Sequence, residues 1–298
     1  MHRTPATRWP AVSTIGELLQ REGLVRPRRR RAATHGRRGS GRTVASSANV
    51  VWTADFKGHF RVGTGAYCYP LTVLDLHHHY LLGGRAFPTT AVALARRGFA
   101  RLFAEYGLPE VFRTDNGVPF AQPNALGRLG ALAYWWVRLG IRPEHTRPAT
   151  PSENGAHERF HKTLKAHTTQ PAARLLVAQQ RQFNRFEREY NTVRPHESTV
   201  DHRPPGDAYV PSPRPYPRTV PPLQYARTDE IRRVDPAGAI KWRNHAIFLS
   251  SNLSGEYVAL TETAQAVIQI RYARLILGTF DPTTKRFTGE VQWNDDGL

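Results

Sequence analysis

The stretch Pro151-Ser152-Glu153-Asn154-Gly155-Ala156-His157-Glu158-Arg159-Phe160-His161-Lys162-Thr163-Leu164-Lys165 decides how the rest of the sequence is interpreted. Its proline and its Asn-Gly pair indicate a loop, and the residues that follow favour a helix. Four polar residues would share one face of that helix: Glu158, His161, Lys162 and Lys165. Phe160 and Leu164 point elsewhere and can anchor the helix to a core. Taken alone, the pattern is also typical of a solvated helix with a Glu–Lys pair.

The composition predicts a globular protein without a membrane segment. The chain has 298 residues, of which 40% are hydrophobic, enough for one large core and a smaller module. No apolar run reaches the roughly 20 residues of a membrane span, and the first residues do not resemble a secretory signal. The single cysteine, Cys68, excludes an internal disulfide and a cysteine-rich zinc site. We therefore expect a cytoplasmic protein.

The charge predicts a polyanionic partner. Lysine and arginine number 42 against 24 acidic residues, which gives a net charge of +18. Such an excess most often indicates nucleic acid, and the guanidinium groups that supply most of it bind phosphate oxygens in pairs. One basic run contains Arg28, Arg29, Arg30 and Arg31. We interpret it as an arm that follows a DNA backbone, although a solvated linker has the same composition.

Residues 1–48 are predicted to hold part of a helical domain and a basic linker. Thr14 and Glu17 have the spacing of a capping box, an apolar stripe accompanies them, and Gly23 is placed to end the helix. The helix and its basic exit resemble the last helix of a helix-turn-helix domain whose earlier helices are absent from the sequence. We interpret the segment as a partial helix-turn-helix remnant.

Residues 49–194 have the pattern of a mixed α/β domain. Three strand-like segments come first, and helices then alternate with strands, which predicts a five-stranded sheet with helices packed on it. The strands are predicted at residues 50–56, 68–75, 80–84 and 141–146, and residues 111–117 are predicted as a short strand that leads straight into a turn. The helices are predicted at residues 89–106, 126–139, around Glu158 and at 172–190.

The remainder of the chain divides into two further predicted segments. Nine prolines fall between Pro195 and Pro222, so residues 195–222 are expected to be an extended linker. From Leu223 onward, short alternating strands are separated by turn residues. This pattern predicts a small C-terminal β-barrel over residues 223–298.

Three carboxylates stand at the ends of predicted core elements, namely Asp55, Asp115 and Glu158. Open α/β sheets place reacting groups where strand ends meet at one edge. Chemistry at a phosphodiester commonly uses two hard cations held by carboxylates and substrate oxygens. Asp55 is our choice for the carboxylate between the two metals. Asn116-Gly117 would let the backbone turn sharply beside Asp115.

These residues together resemble a known family. The motifs Trp52-Thr53-Ala54-Asp55, Thr114-Asp115-Asn116-Gly117 and Pro151-x-x-Asn154-Gly155-x-x-Glu158-Arg159 resemble the catalytic core shared by DDE transposases of bacterial insertion sequences and retroviral integrases. Tyr190-Asn191-x-x-Arg194-Pro195-His196-Glu197 is similar to the tail of the insertion-sequence branch.

The resemblance implies a fold, a reaction and partners. It implies an RNase H-like integrase core whose triad Asp55, Asp115 and Glu158 binds two Mg²⁺ ions, with Mn²⁺ able to substitute. It implies DNA cleavage and strand transfer in transposition, in which a 3′-hydroxyl attacks a phosphodiester. Lys162 and Lys165 take positions where integrases have DNA-contacting lysines. The partners would be double-stranded DNA and further copies of the chain, in a bacterial cytoplasm at the nucleoid.

Two departures from the family keep alternatives open. Asp115 and Glu158 are separated by 42 residues, against the family's usual spacing of about 35. We place the extra residues in a loop around 121–127. The N-terminal recognition domain is mostly missing, so a catalytically silent, truncated DNA-binding protein is one alternative. An RNase H-like nuclease that acts on hybrids is another.

Other polar and aromatic residues are further site candidates. Asp75 also ends a strand and could replace Asp55, whereas Glu153 is expected only to shape its loop. Three consecutive histidines, His77, His78 and His79, alternate sides on an extended segment and are expected in a loop or at the surface. Trp135 and Trp136 are expected in the core. His157 and His161 flank Glu158 and could contact phosphate.

Overall fold

The fold is described from a computed structural model, in which the chain divides into two units, residues 1–42 and residues 43–298. The described parts of the chain are residues 10–24, 42–56, 58–146, 155–196 and 202–295. Within them, the side chains of Val12 and of residues 155–159 are left out.

The N-terminal unit contains one described helix, α1 (Val12–Arg21). Gly23 follows it with a left-handed backbone, φ 67°, so the predicted helix end is confirmed. The predicted capping box is wrong, because the helix begins before Thr14 and its N-cap is Ala11, which has no side-chain acceptor. Arg28, Arg29, Arg30 and Arg31 lie outside the described residues, as does most of the predicted helix-turn-helix remnant.

A mixed six-stranded sheet forms the centre of the second unit. Its strands are β1 (Val51–Phe56), β2 (Phe60–Arg61), β3 (Tyr67–Asp75), β4 (Leu81–Phe87), β5 (Val111–Thr114) and β6 (Arg142–His145). Strand β1 lies between antiparallel β3 and parallel β5, and β6 continues the sheet parallel to β5. The predicted mixed sheet is confirmed. It has one strand more than expected, because the two-residue β2 pairs with the start of β3.

Helices pack on this sheet in two buried clusters. They are α2 (Val92–Tyr106), α3 (Ala131–Arg138), α4 (Gly155–Thr168) and α5 (Leu176–Thr192). Trp52 of β1 packs in one cluster with residues of α2 and α3, where the rings of Phe112 and Trp136 stack at 4.5 Å. Leu74 and Leu81 pack in the other cluster with α4 and α5. Among the described residues, no helix has both the length and the apolar character of a membrane span.

The segment before α3 corrects the predicted helix 126–139. Helix α3 begins only at Ala131, and Leu126–Arg128 forms a separate 3₁₀ turn. Gly127 and Arg128 have φ values of 58° and 59°, a left-handed backbone that an α-helix cannot contain. The residues around 121–127 therefore form a loop, which a bridge between Ala121 and Leu129 closes. Trp135 and Trp136 are buried, as predicted.

The C-terminal strands form an open sheet, so the predicted closed barrel is wrong. The strands are β7 (Glu230–Arg233), β8 (Ala239–Trp242), β9 (His245–Phe248), β10 (Tyr257–Glu262), β11 (Ile268–Tyr272), β12 (Leu275–Asp281) and β13 (Arg286–Trp293). Five of them pair antiparallel in the order β13–β12–β11–β10–β7, and β8 and β9 form a separate hairpin. A barrel requires its first and last strands to pair, and within the described residues β13 and β7 are edges.

The segment before the C-terminal sheet lies against the core. Arg214 donates from its guanidinium to the carbonyl oxygens of Pro109, at 2.6 Å, and Gly140, at 2.8 Å. The backbone N–H of Ser212 donates to the carbonyl oxygen of Tyr106 at 2.8 Å. Side chains of the core and of the C-terminal sheet belong to one continuous hydrophobic cluster.

Candidate functional site

Two of the predicted site carboxylates lie side by side at one edge of the central sheet. In the parallel pair β1 and β5, Ala54 lies opposite Thr114. Asp55 and Asp115 directly follow these two residues along the chain, so they lie side by side at the same edge of the sheet. Asp55 is only 5% exposed, whereas Asp115 is half-buried. The carboxyl ends of neighbouring parallel strands are where this class of sheet carries its reacting groups.

Asp55 is contacted from α4 by a buried histidine. His161 Nδ1 lies 3.7 Å from Asp55 Oδ2, and His161 Nε2 lies 2.8 Å from Thr72 Oγ1. Thr72 lies opposite Asp55 on β3, and its hydroxyl donates to the Asp55 carbonyl oxygen at 3.3 Å. His161 is 2% exposed and therefore faces the sheet, not solvent. The imidazole packs α4 against the edge that carries Asp55.

A tight turn holds Asp115. The backbone N–H of Gly117 donates to Asp115 Oδ1 at 3.1 Å, and Asn116 Nδ2 donates to the Thr146 carbonyl oxygen at 2.6 Å. A Cβ on residue 117 would lie 3.0 Å from Asp115 Oδ2, so glycine lets the backbone come this close. The sharp turn predicted for Asn116-Gly117 is confirmed, and its effect is to fix the carboxylate.

A second histidine lies beside Asp115. His145 ends β6, opposite Thr114, and its Nδ1 lies 3.4 Å from Thr114 Oγ1. Burial lowers the pKa of His145, Asp115 partly offsets this effect, and the positive charge of Arg128 adds to the lowering. The imidazole is therefore neutral at pH 7, because its pKa lies below the ordinary value of 6.5.

Helix α4 brings the third predicted site position to the same edge. Glu158 occupies the helix position one turn before His161, which contacts Asp55, while the Glu158 side chain is outside the described part of the structure. Phe160 and Leu164 are buried, and the Phe160 ring lies 5.2 Å from that of Tyr190 on α5. The predicted anchoring of the helix through these two residues is confirmed.

The polar face predicted for α4 is divided in the structure. His161 is buried, whereas Lys162 and Lys165 are exposed. The two lysines can therefore meet a ligand in solvent, and His161 cannot reach a phosphate without leaving the core. Glu153, on the preceding loop, is not among the described residues, and neither is the side chain of His157.

Asp75 lies far from this edge. Because β3 runs antiparallel to β1, Asp75 pairs with Trp52 at the beginning of β1, whereas Asp55 lies near its end. Its carboxylate accepts N–H bonds from Asn49 at 2.7 Å and from His78 at 2.9 Å. Asp75 thus closes a turn, and the alternative in which it replaces Asp55 is wrong.

The three histidines follow Asp75 in and just after that turn. The backbone N–H of His77 also donates to Asp75, and His77 Nδ1 lies 3.0 Å from the Ala45 carbonyl oxygen. Among the side chains that the structure describes, no group of three histidine, cysteine or acidic residues could hold a metal ion. The prediction of a loop position for His77, His78 and His79 is consistent with this turn.

The chemistry of the donor set at the edge fits hard cations. Asp55 and Asp115 supply carboxylate oxygens, which are the ligands that Mg²⁺ prefers, and Asp55 is largely shielded from water. Two carboxylates that converge at one edge repel each other, and a divalent ion between them would relieve that repulsion. Glu158 would be the third carboxylate.

Sequence reasoning missed Thr72 and His145 and gave His161 a different contact. Thr72 and His161 are 89 residues apart, and only the packing of α4 on β3 brings them together. His145 lies in a short polar strand, Arg-Pro-Glu-His, that carries no catalytic signature. A signal for His161 existed, since it lies one turn from Glu158, but a face pattern does not distinguish a buried polar residue from an exposed one.

Comparison with known proteins identifies the domain to which this edge belongs. Residues 45–151 match one family model described as the integrase core domain, and residues 139–205 match a second model with the same description. The chain contains an integrase core domain. The two matched regions include Asp55, Asp115, Glu158 and the whole of α4 and α5.

Curated relatives of the integrase core come from endogenous retroviruses. The chain is 29% identical over 131 residues to the Gag-Pol polyprotein of baboon endogenous virus (strain M7), a match of 42% of this chain and 7% of that one. It is 28% identical over 131 residues to the Pol polyprotein of feline endogenous virus ECE1, with 42% and 11% covered. The chain therefore spans about a tenth or less of the relatives it matches.

Among solved structures, two retroviral integrase structures share part of the course of the chain. The HTLV-2 integrase catalytic core domain in complex with magnesium has a TM-score of 0.41 at 13% identity, covering 54% of this chain and 95% of that one. The simian T-cell lymphotropic virus intasome in complex with the PP2A regulatory subunit B56 gamma has a TM-score of 0.45 at 15% identity. That match covers 83% of this chain and 78% of the other.

Proposed function

We propose that this protein is a DDE transposase that cleaves DNA and joins a 3′-hydroxyl to a target phosphodiester. The observation that carries the proposal is the register of β1 and β5, which sets Asp55 beside Asp115 at the edge on which α4 packs. An integrase core with this convergence of carboxylates has the parts that phosphoryl transfer requires, namely charge to hold metal and a fixed edge to align the strand.

Divalent cations are the implied cofactors. Asp55, Asp115 and Glu158 would hold two Mg²⁺ ions, for which Mn²⁺ can substitute. When bound, such ions lower the pKa of the attacking water or 3′-hydroxyl and stabilise negative charge on the phosphate. The chain's own contribution is to hold the carboxylates in place. His161 and Thr72 do so for Asp55, and the Asn116-Gly117 turn does so for Asp115.

The DNA would be held by basic residues near this edge. Lys162 and Lys165 are exposed on α4, one and two turns beyond Glu158, where their ammonium groups can meet phosphates. Arg28, Arg29, Arg30 and Arg31 would follow the backbone of the same duplex outside the core. Double-stranded DNA, both element ends and target, is the proposed partner, and the chain would act as a homo-oligomer assembled on it.

The insertion-sequence branch is proposed from the tail motif. Asn191 of that motif bonds both backbone groups of Leu81, with its Oδ1 accepting the N–H and its Nδ2 donating to the carbonyl oxygen, each at 2.9 Å. Tyr190 packs on Phe160 of α4. The motif thus joins α5 to β4 and to α4. A bacterial cytoplasm at the nucleoid is the compartment that this branch implies.

A joining assay tests the proposal. Purified full-length protein should cleave or join duplex oligonucleotides that carry the element ends when Mg²⁺ or Mn²⁺ is present, and it should bind them without reaction in Ca²⁺. An RNA–DNA hybrid of the same sequence serves as the competing substrate. Binding without reaction in Mg²⁺ and Mn²⁺ would indicate a catalytically silent DNA-binding protein. Cleavage confined to the hybrid would indicate an RNase H-like nuclease.

A further inference from the structure

The loop in which we place the extra residues between Asp115 and Glu158 contacts the C-terminal sheet. Asn252, on the turn before β10, donates from Nδ2 to Gln122 Oε1 at 2.7 Å and to the Leu129 carbonyl oxygen at 3.1 Å. These two acceptors lie at the two ends of the loop 121–129, and the Gln122 N–H donates across it to the Arg128 carbonyl oxygen at 3.0 Å. We call residues 121–129 the docking loop.

The fit between the docking loop and β13 leaves no room for larger residues. A Cβ on Gly127 would lie 2.6 Å from Val291 Cγ2, and a Cβ on Gly289 would collide with Leu126 Cδ1. Leu126 and Val291 both pack against the hydrophobic cluster that the core shares with the C-terminal sheet. Such close packing restricts the loop to one position, because a displaced loop would expose apolar surface.

The docking loop is also tied directly to the turn that holds Asp115. The N–H groups of Phe120 and Ala121 both donate to the Gly117 carbonyl oxygen, at 2.9 and 3.0 Å. Phe120 is 1% exposed, and its ring lies 5.6 Å from that of Phe56, the residue after Asp55. Only five residues separate Asp115 from Ala121. The C-terminal sheet, the docking loop and the carboxylate edge thus form one connected structure.

The docking loop carries one positively charged side chain, Arg128. Arg128 is exposed, and its backbone is fixed in the left-handed region with its N–H donating to the Ala125 carbonyl oxygen at 2.8 Å. The Arg128 carbonyl oxygen accepts from the Gln122 N–H at 3.0 Å, and the neighbouring Ala121 N–H donates to the Gly117 carbonyl oxygen, so Arg128 lies close to the turn that holds Asp115. An exposed guanidinium close to this edge attracts an anionic ligand, such as the phosphate that the proposed metal ions would also contact.

We propose that Arg128 binds a DNA phosphate beside the scissile one. The C-terminal sheet positions Arg128 through its hydrogen bonds and close packing with the docking loop. This inference rests on the proposed strand-transfer function and deepens it. A guanidinium can donate two parallel hydrogen bonds to a phosphate, so it fixes the orientation of the strand as well as attracting it. The longer spacing between Asp115 and Glu158 then supplies a substrate-binding element.

The first experiment compares Arg128→Ala and Arg128→Lys with Arg101→Ala in the full-length protein. Arg101 is an exposed arginine on α2, so its loss is the control for net charge. The DNA concentration at half-maximal joining should rise at least roughly tenfold in Arg128→Ala, as expected when a charge-assisted contact is removed, with the maximal rate within about twofold of wild type. Arg128→Lys should recover only part of the affinity, because an ammonium cannot donate in parallel.

The second experiment asks whether the sheet acts through Arg128. Asn252→Asp replaces the amide group that donates to the docking loop with a charged acceptor. The control, Glu256→Gln, removes an ion pair of 2.9 Å with Arg138 on α3 and does not change the docking loop. Asn252→Asp should raise the half-maximal DNA concentration and speed hydrogen exchange at the Phe120 and Ala121 amides, and Glu256→Gln should do neither. Adding Arg128→Ala to Asn252→Asp should cost little more than Arg128→Ala alone.

The outcomes separate this inference from the function on which it rests. If wild-type protein neither binds nor joins DNA, the proposed function fails. If wild type is active and Arg128→Ala matches Arg101→Ala, Arg128 does not bind a phosphate. If the effects of Asn252→Asp and Arg128→Ala add fully in the double variant, the sheet does not position Arg128. The hydrogen-exchange comparison needs no activity and reports the docking itself.

Discussion

His161 and Asp55 are in contact across the interface between α4 and the central sheet, with 3.7 Å between Nδ1 and Oδ2. The second ring nitrogen lies 2.8 Å from the Thr72 hydroxyl oxygen. The same hydroxyl donates to the Asp55 carbonyl oxygen at 3.3 Å, so Thr72 is in contact with both the histidine and the backbone of Asp55. The histidine thereby links a strand, a helix and a proposed metal ligand, as the partners of metal-ligating residues commonly do.

The first prediction concerns this link. Thr72→Val keeps the side-chain shape and removes the hydroxyl, and His161→Gln keeps a polar group of different geometry. Both should weaken Mn²⁺ binding or strand transfer by about 10- to 100-fold, the usual cost of losing a partner of a metal ligand. Mn²⁺ binding measured by calorimetry, with thermal unfolding as the control for folding, checks this. Wild-type Mn²⁺ affinity and joining rate in both variants would contradict the role.

A second prediction concerns the carboxylates. Asp55→Asn, Asp115→Asn and Glu158→Gln each remove one metal-binding charge at nearly constant shape, so each should abolish turnover while DNA binding in Ca²⁺ is retained. Asp207→Asn, at an exposed aspartate, is the matched control and should react like wild type. The measurement is the yield of joined product under single-turnover conditions. Wild-type turnover in Asp115→Asn would overturn the triad.

A third prediction concerns the exposed lysines of α4. The double variant Lys162→Ala, Lys165→Ala should bind Mn²⁺ like wild type and lose most joining at low DNA concentration, with partial recovery at high concentration, because the reacting groups stay in place. The slope of log affinity against log salt concentration should become shallower by about 0.9 for each phosphate that the variant no longer binds. Lys241→Ala, Lys285→Ala removes the same charge elsewhere. Identical DNA titrations for the two double variants would mean that the α4 lysines only solvate the helix.

A fourth prediction concerns stability and pH. Burial raises the pKa of Glu187 on α5 to about 7, against the opposing effects of Arg85 and the Gly84 N–H. The folded protein therefore prefers the protonated acid. The resulting stabilisation is complete below the ordinary pKa of 4.5 and is lost as the pH rises through about 7.

Glu187→Gln should remove that part of the pH dependence. Denaturant unfolding at pH 5 and pH 8 should show a smaller loss of unfolding free energy toward pH 8 in the variant than in wild type. Glu189→Gln changes an exposed glutamate on the same helix and should leave the wild-type difference intact. The burial argument is wrong if Glu187→Gln and Glu189→Gln have the same pH profile.

The C-terminal strands show which strands a sequence pattern predicts and which depend on their pairing partners. β8, β9, β10 and parts of β11 and β12 were predictable because β-branched and aromatic residues alternate between turns. Glu-Ile-Arg-Arg of β7 lacks that pattern, and it is a strand because β10 offers it backbone partners. In β13, Phe287, Val291 and Trp293 alternate with polar residues, but Gly289 interrupts the series, and pairing with β12 completes the strand. Whether the sheet closes is likewise a matter of which edges meet, and the composition of a strand does not specify its partner.

By itself the sequence determined the mixed sheet, the packing helices and the strand ends at which Asp55 and Asp115 lie, because apolar periodicity and short motifs are local properties. Tertiary structure alone decided that Asp75 lies at the far end of β1, since strand direction is set by pairing. It also decided that His161 turns inward to Asp55 and that Arg128 stands on a loop held by Asn252. Those contacts join residues 106 and more than 120 positions apart, and such separations are bridged only when the elements between them have packed.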